Sequence, residues 1–157
     1  MKYKINIGDK IPRFHAKDER GDEYTSADLM GCPLVIYFYP KDETPGCTKE
    51  ACSFRDNIAE LKALSALVIG VSPDSVFSHR QFVSKHQLSF PLFSDENKEI
   101  CHLFDVIREK VVDGIKKKVF ERSTFVFDQF GRIAWIERPV NVDGHTERVI
   151  AAVKKLQ

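Results

Sequence analysis

The strongest signal in the hydrophobic pattern is an unbroken apolar run at residues 34–39, bounded by Pro33 and Pro40. Its β-branched and aromatic residues predict a strand buried on both faces, as at the centre of a sheet. A second apolar run at 66–71 predicts another buried strand. Between them, residues 45–64 predict one continuous amphipathic helix, because apolar residues recur at helical spacing, namely Ala51, Phe54, Ile58, Leu61 and Leu64.

The remaining elements are shorter. Residues 14–17 and 23–25 flank a turn signal and predict a hairpin, followed by a short helical turn at 26–30 capped by Ser26. Helices are predicted at 75–86, at 97–104 and at the C-terminus, where the stripe is Val149, Ile150, Val153 and Leu156. Extended segments are predicted at 90–93 and in two further hairpins, 107–112 with 117–120 around Asp113-Gly114 and 124–127 with 133–137.

This order of elements predicts a three-layer α/β sandwich with a central mixed β-sheet flanked by helices. The pattern fits the thioredoxin-like group of folds, and it also fits other small α/β domains. No internal repeat, low-complexity segment or linker divides the chain, so we expect one domain over residues 1–157.

Composition and charge exclude several classes of function. With 24 basic and 23 acidic side chains the net charge is +1, which argues against a nucleic-acid partner. The one basic run, residues 116–118, is expected in a solvated hairpin turn. No apolar stretch approaches 18 residues, and the N-terminus lacks the apolar core of a secretory signal. We therefore expect no membrane association and a cytoplasmic location, where four cysteines are not a disulfide framework.

The chemistry is concentrated in Thr44-Pro45-Gly46-Cys47, between the first buried strand and the long helix. Thr44 is a good N-cap and Pro45 a favoured first helical residue. Cys47 then faces the unpaired N–H groups and the positive end of the helix dipole, which favour thiolate over thiol. Gly46 would leave room for a small substrate. The alternative is that Cys47 is a small core residue, since it extends the apolar stripe.

Cys52 lies five residues after Cys47 on the same predicted helix. An ideal helix places the two Cα atoms about 8.7 Å apart, whereas a disulfide requires less than about 7 Å. A disulfide between them therefore requires the start of the helix to unwind. Geometry alone leaves a packed free thiol as the simpler interpretation of Cys52.

Several segments carry a family resemblance. The pattern Pro40-x-x-x-Thr44-x-x-Cys47 resembles the peroxidatic motif of peroxiredoxins. The longer string from Thr44 to Cys52, TPGCTKEAC, is similar to that of the bacterioferritin-comigratory (PrxQ) subgroup. The similarity extends over most of the chain, through residues 8–14, 37–40, 70–72 and 122–126.

This resemblance implies a thioredoxin-like fold and a thiol-dependent peroxidase that reduces hydrogen peroxide and organic hydroperoxides. Cys47 would be the nucleophile that becomes a sulfenic acid, and Arg122 would stabilise its thiolate and polarise the peroxide. Thr44 would offer its hydroxyl to the substrate oxygens, and Pro40 would shield the thiolate from water. Cys52 would be the resolving thiol. Thioredoxin or a similar dithiol would complete the cycle, and a monomer would be typical of the subgroup.

The other potentially reactive side chains have no place in this motif. We expect Cys32 and Cys101 to be passive thiols, and His15, His79, His86 and His145 to be surface or satisfied core residues. No Cys-x-x-Cys or other standard ligand spacing is present, so neither a metal site nor a cofactor is expected. Two alternatives to the peroxidase are a thiol–disulfide oxidoreductase and a redox-regulated binding module on the same fold.

Overall fold

Nine strands and five α-helices form the protein in the computed structural model, which describes residues 3–157. The strands are β1 (His15–Lys17), β2 (Glu23–Thr25), β3 (Leu34–Phe38), β4 (Leu67–Ser72), β5 (Leu92–Ser94), β6 (Ile107–Val112), β7 (Ile115–Phe120), β8 (Ser123–Phe127) and β9 (Ile133–Glu137). The helices are α1 (Pro45–Asp56), α2 (Ile58–Ala63), α3 (Val76–His86), α4 (Glu99–Leu103) and α5 (His145–Lys154), and Ser26–Leu29 form a 3₁₀ turn.

Seven of the strands form a mixed sheet in the order β2-β1-β5-β4-β3-β8-β9. Strands β3, β4 and β5 are parallel to one another, while β8 pairs antiparallel with β3 and β1 pairs antiparallel with β5. Strands β6 and β7 form a separate two-stranded hairpin. The predicted mixed sheet and its hairpins are confirmed.

Strand β3 lies at the centre of the sheet, and every one of its residues is buried. Its side chains alternate between two hydrophobic cores, as the two-residue period of a strand requires. Val35 and Tyr37 point into a core shared with α1, α2, α3 and α5. Ile36 and Phe38 point into a second core on the opposite face, shared with α4 and the 3₁₀ turn. The helices therefore cover both faces, which confirms the three-layer arrangement.

The predicted continuous helix over 45–64 is wrong, because the helix breaks at Asn57. The backbone of Asn57 leaves the helical region, with φ −112° and ψ 9°, and its side-chain Nδ2 donates to the carbonyl of Ser53 at 2.8 Å. Asparagine favours such breaks because its amide competes with the backbone for hydrogen bonds. Phe54 and Leu61 lie on opposite sides of the break and still reach the same core, which explains why the apolar spacing did not reveal it.

Two smaller expectations are also corrected. Thr25, rather than Ser26, caps the 3₁₀ turn, since its backbone N–H and hydroxyl both bond to Asp28. The Ser26 hydroxyl instead accepts from the N–H of Phe14 at 3.2 Å. The basic run 116–118 is exposed as expected but lies within β7 rather than in a turn. The turn of this hairpin is formed by Asp113 and Gly114, as the sequence predicted. Within residues 3–157, no helix is both long enough and apolar enough to cross a bilayer.

Candidate active site

Cys47 lies in the first turn of α1, directly after the loop that leaves the carboxyl end of β3. Thr44 is the N-cap residue, with extended backbone angles, and Pro45 opens the helix. The Cys47 side chain is fully buried. The sequence therefore placed Thr44 and Pro45 correctly. The hydroxyl of Thr44 does not cap the helix, however, and donates instead to the carbonyl of Lys41 at 2.8 Å.

Arg122 is brought to Cys47 by the pairing of two strands. It immediately precedes β8, whose first residue Ser123 pairs with Phe38 at the end of β3. The Arg122 Nη1 group donates to Cys47 Sγ at 3.4 Å and to Glu50 Oε1 at 2.8 Å. A guanidinium at this distance stabilises negative charge on the sulfur. The predicted association of Arg122 with Cys47 is thus present in the structure.

Gly46 leaves space in the site, but not only for the substrate that the sequence predicted there. A Cβ atom at this position would lie 3.2 Å from Arg122 Nη2. The missing side chain therefore makes room for the guanidinium of Arg122, rather than only for a substrate. An alanine here would push against the group that holds the sulfur.

Glu50 is a site residue that the sequence reasoning missed. Its side chain is fully buried, and burial raises the pKa of its carboxyl to about 7, although the charge and hydrogen bond of Arg122 act in the opposite direction. Glu50 lies one helical turn after Cys47, on the same face of α1. The sequence signals for Glu50 were this spacing and its position within the segment from Thr44 to Cys52, which carries the family resemblance.

His145, the first residue of α5, lies behind Glu50 in the interior. Its Nδ1 atom is 3.4 Å from Glu50 Oε2, but neither ring nitrogen has a hydrogen-bond partner within the described residues. Burial lowers the pKa of this imidazole to about 4. The expectation of a surface or satisfied histidine is therefore wrong for His145. No sequence signal marks it, because only the packing of α5 on α1 brings the two residues together.

Two buried hydroxyl groups belong to the same interior region. Tyr37 and Thr124 are directly opposed on β3 and β8, and neither hydroxyl has a partner among residues 3–157. Burial raises the pKa of the Tyr37 phenol well above its usual value, and the nearby charges of Glu50 and Cys47 add to this effect. The environment of Cys47 thus combines low solvent access with a small number of fixed polar groups.

Cys52 is half-buried on α1, and all four cysteines are free thiols. Its Sγ atom lies 3.9 Å from Nδ1 of His86, at the end of α3. Cys101 is fully buried, and burial raises its thiol pKa far above the ordinary range, with further contributions from Asp95. Cys101 therefore has the environment of an unreactive thiol. Cys32 is half-buried before β3.

Pro40 is exposed at the end of β3, and Thr44 is half-buried beside it. The structure shows that both residues belong to the loop leading to Cys47. The shielding of the thiolate by Pro40 and the binding of the substrate oxygens by Thr44 stay predictions.

Among residues 3–157, one group of side chains could offer ligands to a metal ion, namely Asp42, Asp74 and His79. These atoms are engaged in hydrogen bonds with one another and with the chain. His79 Nδ1 lies 2.7 Å from Asp42 Oδ2, and His79 Nε2 lies 3.0 Å from the carbonyl of Phe93. Asp42 also accepts from Tyr39 at 2.7 Å. The cluster thus forms a buried network that supports the loop before α1, and His79 is a satisfied core residue as expected.

Comparison with known proteins identifies the family of this chain. The AhpC/TSA family model matches residues 7–136. A peroxiredoxin Bcp of Bacillus subtilis is 41% identical over 152 residues, which cover 97% of both proteins. The chain is a peroxiredoxin of the AhpC/TSA family. Its match to Bcp proteins places it in the bacterioferritin-comigratory (PrxQ) subgroup, as the sequence motifs implied.

Solved structures agree with this assignment and with the thioredoxin-like fold. PrxQ of Xylella fastidiosa superposes on this peroxiredoxin with a TM-score of 0.90 at 37% identity, covering 98% of both chains. The bacterioferritin comigratory protein of Xanthomonas campestris, which has alkyl peroxide reduction activity, gives a TM-score of 0.88 at 41% identity over 90% of each chain. This peroxiredoxin is accordingly a thiol-dependent peroxidase, which uses a hydroperoxide substrate and a thiol reductant.

Proposed function

We propose that Cys47 is the peroxidatic nucleophile of this enzyme and that Cys52 resolves the oxidised form. The main support is the contact of Arg122 Nη1 with Cys47 Sγ at 3.4 Å, at a helix start that already favours a thiolate. A buried cysteine beside a fixed guanidinium has the surroundings of a reactive sulfur rather than of a core residue.

In the first step, the Cys47 thiolate attacks one oxygen of the hydroperoxide and the O–O bond breaks. The sulfur becomes a sulfenic acid, and the leaving alkoxide or hydroxide takes a proton to become an alcohol or water. Arg122 stabilises the charge that moves from sulfur to the leaving oxygen, since a fixed cation acts where charge develops. Thr44 offers its hydroxyl to the substrate oxygens in exchange for its present hydrogen bond to the carbonyl of Lys41. Pro40 limits the access of water to the sulfur.

In the second step, Cys52 condenses with the sulfenic acid to form a disulfide, and water is released. Both cysteines lie on α1, at a helical separation of about 8.7 Å between their Cα atoms. The disulfide therefore forms only after the first turns of α1 have unwound. The half-exposed position of Cys52, compared with the full burial of Cys101, favours Cys52 as the thiol that reacts.

We further propose that thioredoxin or a similar dithiol reduces this disulfide, and that hydrogen peroxide and organic hydroperoxides are both substrates. We assign the active form as a single-domain monomer, because the contact of Arg122 with Cys47 is complete within the chain and Cys52 lies on the same helix as Cys47, so that the proposed reaction needs no residue of a second copy. A cytoplasmic location is supported by the four free thiols, which a reducing compartment maintains.

The test is the loss of hydrogen peroxide with a thioredoxin system, measured for the wild type, Cys47→Ser and Cys52→Ser. Cys47→Ser is expected to be inactive. Cys52→Ser is expected to lose turnover but still to consume about one peroxide per enzyme in a single turnover. A combined Cys32→Ser and Cys101→Ala variant serves as the control and keeps full turnover. Full activity of Cys47→Ser would overturn the proposal, and normal turnover of Cys52→Ser would assign resolution to another thiol.

A further inference from the structure

The thiol of Cys52 is the first member of a chain of three polar side chains from three different segments. Its Sγ atom lies 3.9 Å from Nδ1 of His86, the last residue of α3. The other ring nitrogen of His86, Nε2, lies 3.0 Å from Oε1 of Glu43, in the loop between β3 and α1. A thiol, an imidazole and a carboxylate in this order are the components of an activated cysteine nucleophile.

The protons in this chain can be assigned from the charge of Glu43. A hydrogen bond from Lys85 Nζ at 2.8 Å is the main reason that the pKa of Glu43 lies below its usual value. Glu43 is therefore an ionised carboxylate that can only accept hydrogen bonds. It follows that Nε2 of His86 bears a hydrogen, which leaves Nδ1 of the neutral ring as an acceptor facing Cys52.

Arg55 adds a positive group on the same helix as the thiol. It lies on α1 one turn after Cys52, and its Nη1 donates to the carbonyl of His86 at 2.8 Å. Residues three apart on a helix are neighbours on its surface, so the guanidinium of Arg55 can favour a thiolate at Cys52. The pKa of Arg55 is raised first by its hydrogen bond to Asp56 and next by the charge of Cys52. The bond between Arg55 and His86 also holds the second half of α1 against α3. Cys52 can therefore stay beside His86 while the turn that contains Cys47 unwinds.

We propose that His86 is the general base that activates Cys52 for resolution, and that Glu43 is the residue that positions His86. This inference rests on the proposed resolving role of Cys52. The Cys52 thiol gives its proton to Nδ1 of His86, and the sulfur attacks the sulfenic sulfur of Cys47. The S–O bond breaks as the S–S bond forms, and the departing hydroxide takes the proton from His86 and leaves as water. Sulfur of Cys47 is reduced by one electron equivalent and sulfur of Cys52 is oxidised by one.

His86→Gln separates this function from a purely structural one. A glutamine amide can still donate to Glu43, and so preserves the contact between loop and helix, but it cannot accept a proton. Rapid mixing with one equivalent of hydrogen peroxide, followed by acid quench and mass spectrometry, gives the rates of sulfenic acid and disulfide formation. We expect an unchanged rate of Cys47 oxidation and a disulfide rate lowered about 10- to 100-fold. This is at or below the low end of the usual effect of a general base, because water reaches this half-exposed thiol and can take its proton. His102→Gln, at an exposed position of α4, is the matched control and retains both rates.

Chemical rescue provides a readout that loss of packing would not produce. The groups facing His86 are Glu43 from the loop and Cys52 and Arg55 from α1. Added imidazole should restore part of the rate of disulfide formation to His86→Ala, because the free base can take the proton of Cys52 in place of the missing side chain. Glu43→Gln keeps the imidazole but not the carboxylate that orients it, so its rate should lie between those of the wild type and His86→Gln.

The outcomes distinguish the two proposals. If Cys52→Ser still forms an intramolecular disulfide, the resolving role of Cys52 fails, and the role of His86 fails with it. If Cys52→Ser forms none but His86→Gln forms the disulfide at the wild-type rate, only the assignment of His86 is overturned. Circular dichroism and thermal unfolding of His86→Gln establish that the variant is folded.

Discussion

Nη1 of Arg122 lies 3.4 Å from the sulfur of Cys47, although 75 residues separate them in the chain. The antiparallel pairing of β8 with β3 sets this distance, since it places Arg122 beside the end of the strand that leads to α1. The same nitrogen also bonds to Glu50 at 2.8 Å. The guanidinium is thus fixed between the nucleophile and a buried carboxyl, and its geometry is established before any substrate binds.

Replacing Arg122 tests this fixed geometry. Arg122→Met should lower the second-order rate constant for oxidation of Cys47 by about 100-fold or more, the usual cost of losing a donor to developing charge. Arg122→Lys should recover only part of the rate, because an ammonium on a flexible stem lacks the rigid planar guanidinium whose Nη1 is held between Cys47 and Glu50. Stopped-flow oxidation by hydrogen peroxide measures both. The control is Arg132→Met, which removes an exposed arginine that bonds to the carbonyl of Gly8, and similar rates for the two Met variants would argue against the assignment.

Gly46→Ala should separate helix stability from activity. Alanine favours the helix by up to about 1 kcal/mol, but its methyl group would lie 3.2 Å from Nη2 of Arg122. A displacement of the guanidinium by a few tenths of an ångström should lower the rate of Cys47 oxidation roughly 3- to 10-fold. Lys49→Ala, at an exposed position on the same helix, provides the comparison and should leave the rate unchanged. An active, more stable Gly46→Ala protein would contradict this account of the glycine.

Glu50 and His145 should contribute to stability with opposite dependence on pH. Glu50 holds its proton more tightly in the folded protein, so its contribution is lost as the pH rises from about 4.5 to about 7. His145 holds its proton less tightly when folded, so its contribution is lost as the pH falls from about 6.5 to about 4. Changes of this size correspond to at most about 3 kcal/mol each, and in the wild type they largely cancel.

Single substitutions should expose each contribution. Relative to the wild type, Glu50→Gln should lose stability more steeply as the pH falls, because only the contribution of His145 remains. His145→Gln should lose stability more steeply as the pH rises, because only the contribution of Glu50 remains. The measurement is the free energy of unfolding in urea between about pH 4 and 7.5. Glu60→Gln, at a half-exposed carboxyl, is the control. Parallel pH curves for all of these proteins would show that the buried pair does not titrate in this way.

The start of α1 should be less protected in the disulfide form than in the reduced form. Cys47 and Cys52 can bond only if the intervening turns unwind, so the amides between them lose their helical hydrogen bonds. Hydrogen exchange followed by mass spectrometry should show faster exchange at the start of α1 in the oxidised protein, with α3 as the internal reference. Equal protection of α1 in the two forms would mean that Cys52 is not the partner of Cys47.

The sequence predicted the sheet well because the apolar run of β3 has a simple physical explanation. Its residues alternate between two cores, so the whole run from Leu34 to Phe38 must be apolar. The break at Asn57 could not be predicted from the stripe, since Phe54 and Leu61 keep helical spacing across it and reach the same core. The asparagine was the only local sign, and its effect depends on the bond to the Ser53 carbonyl.

The candidate site was predictable to the extent that it is local. Thr44, Pro45 and Cys47 are adjacent in the chain, and their arrangement follows from the rules of helix starts. Arg122 came only from the family resemblance, because strand pairing brings it to the site. The contacts of Glu50 with His145 and of Cys52 with His86 depend on how α5 and α3 pack against α1, and periodicity in a single sequence contains no record of such packing.

The most direct test of the central claim is to locate the first oxidised sulfur. Cys52→Ser, treated with one equivalent of hydrogen peroxide in the presence of a sulfenic-acid trap such as dimedone, should carry the adduct on Cys47, as peptide mass spectrometry would show. The same experiment with Cys47→Ser should give no adduct at any cysteine. An adduct on Cys32 or Cys101 in Cys52→Ser, with Cys47 unmodified, would contradict the assignment of Cys47 as the nucleophile.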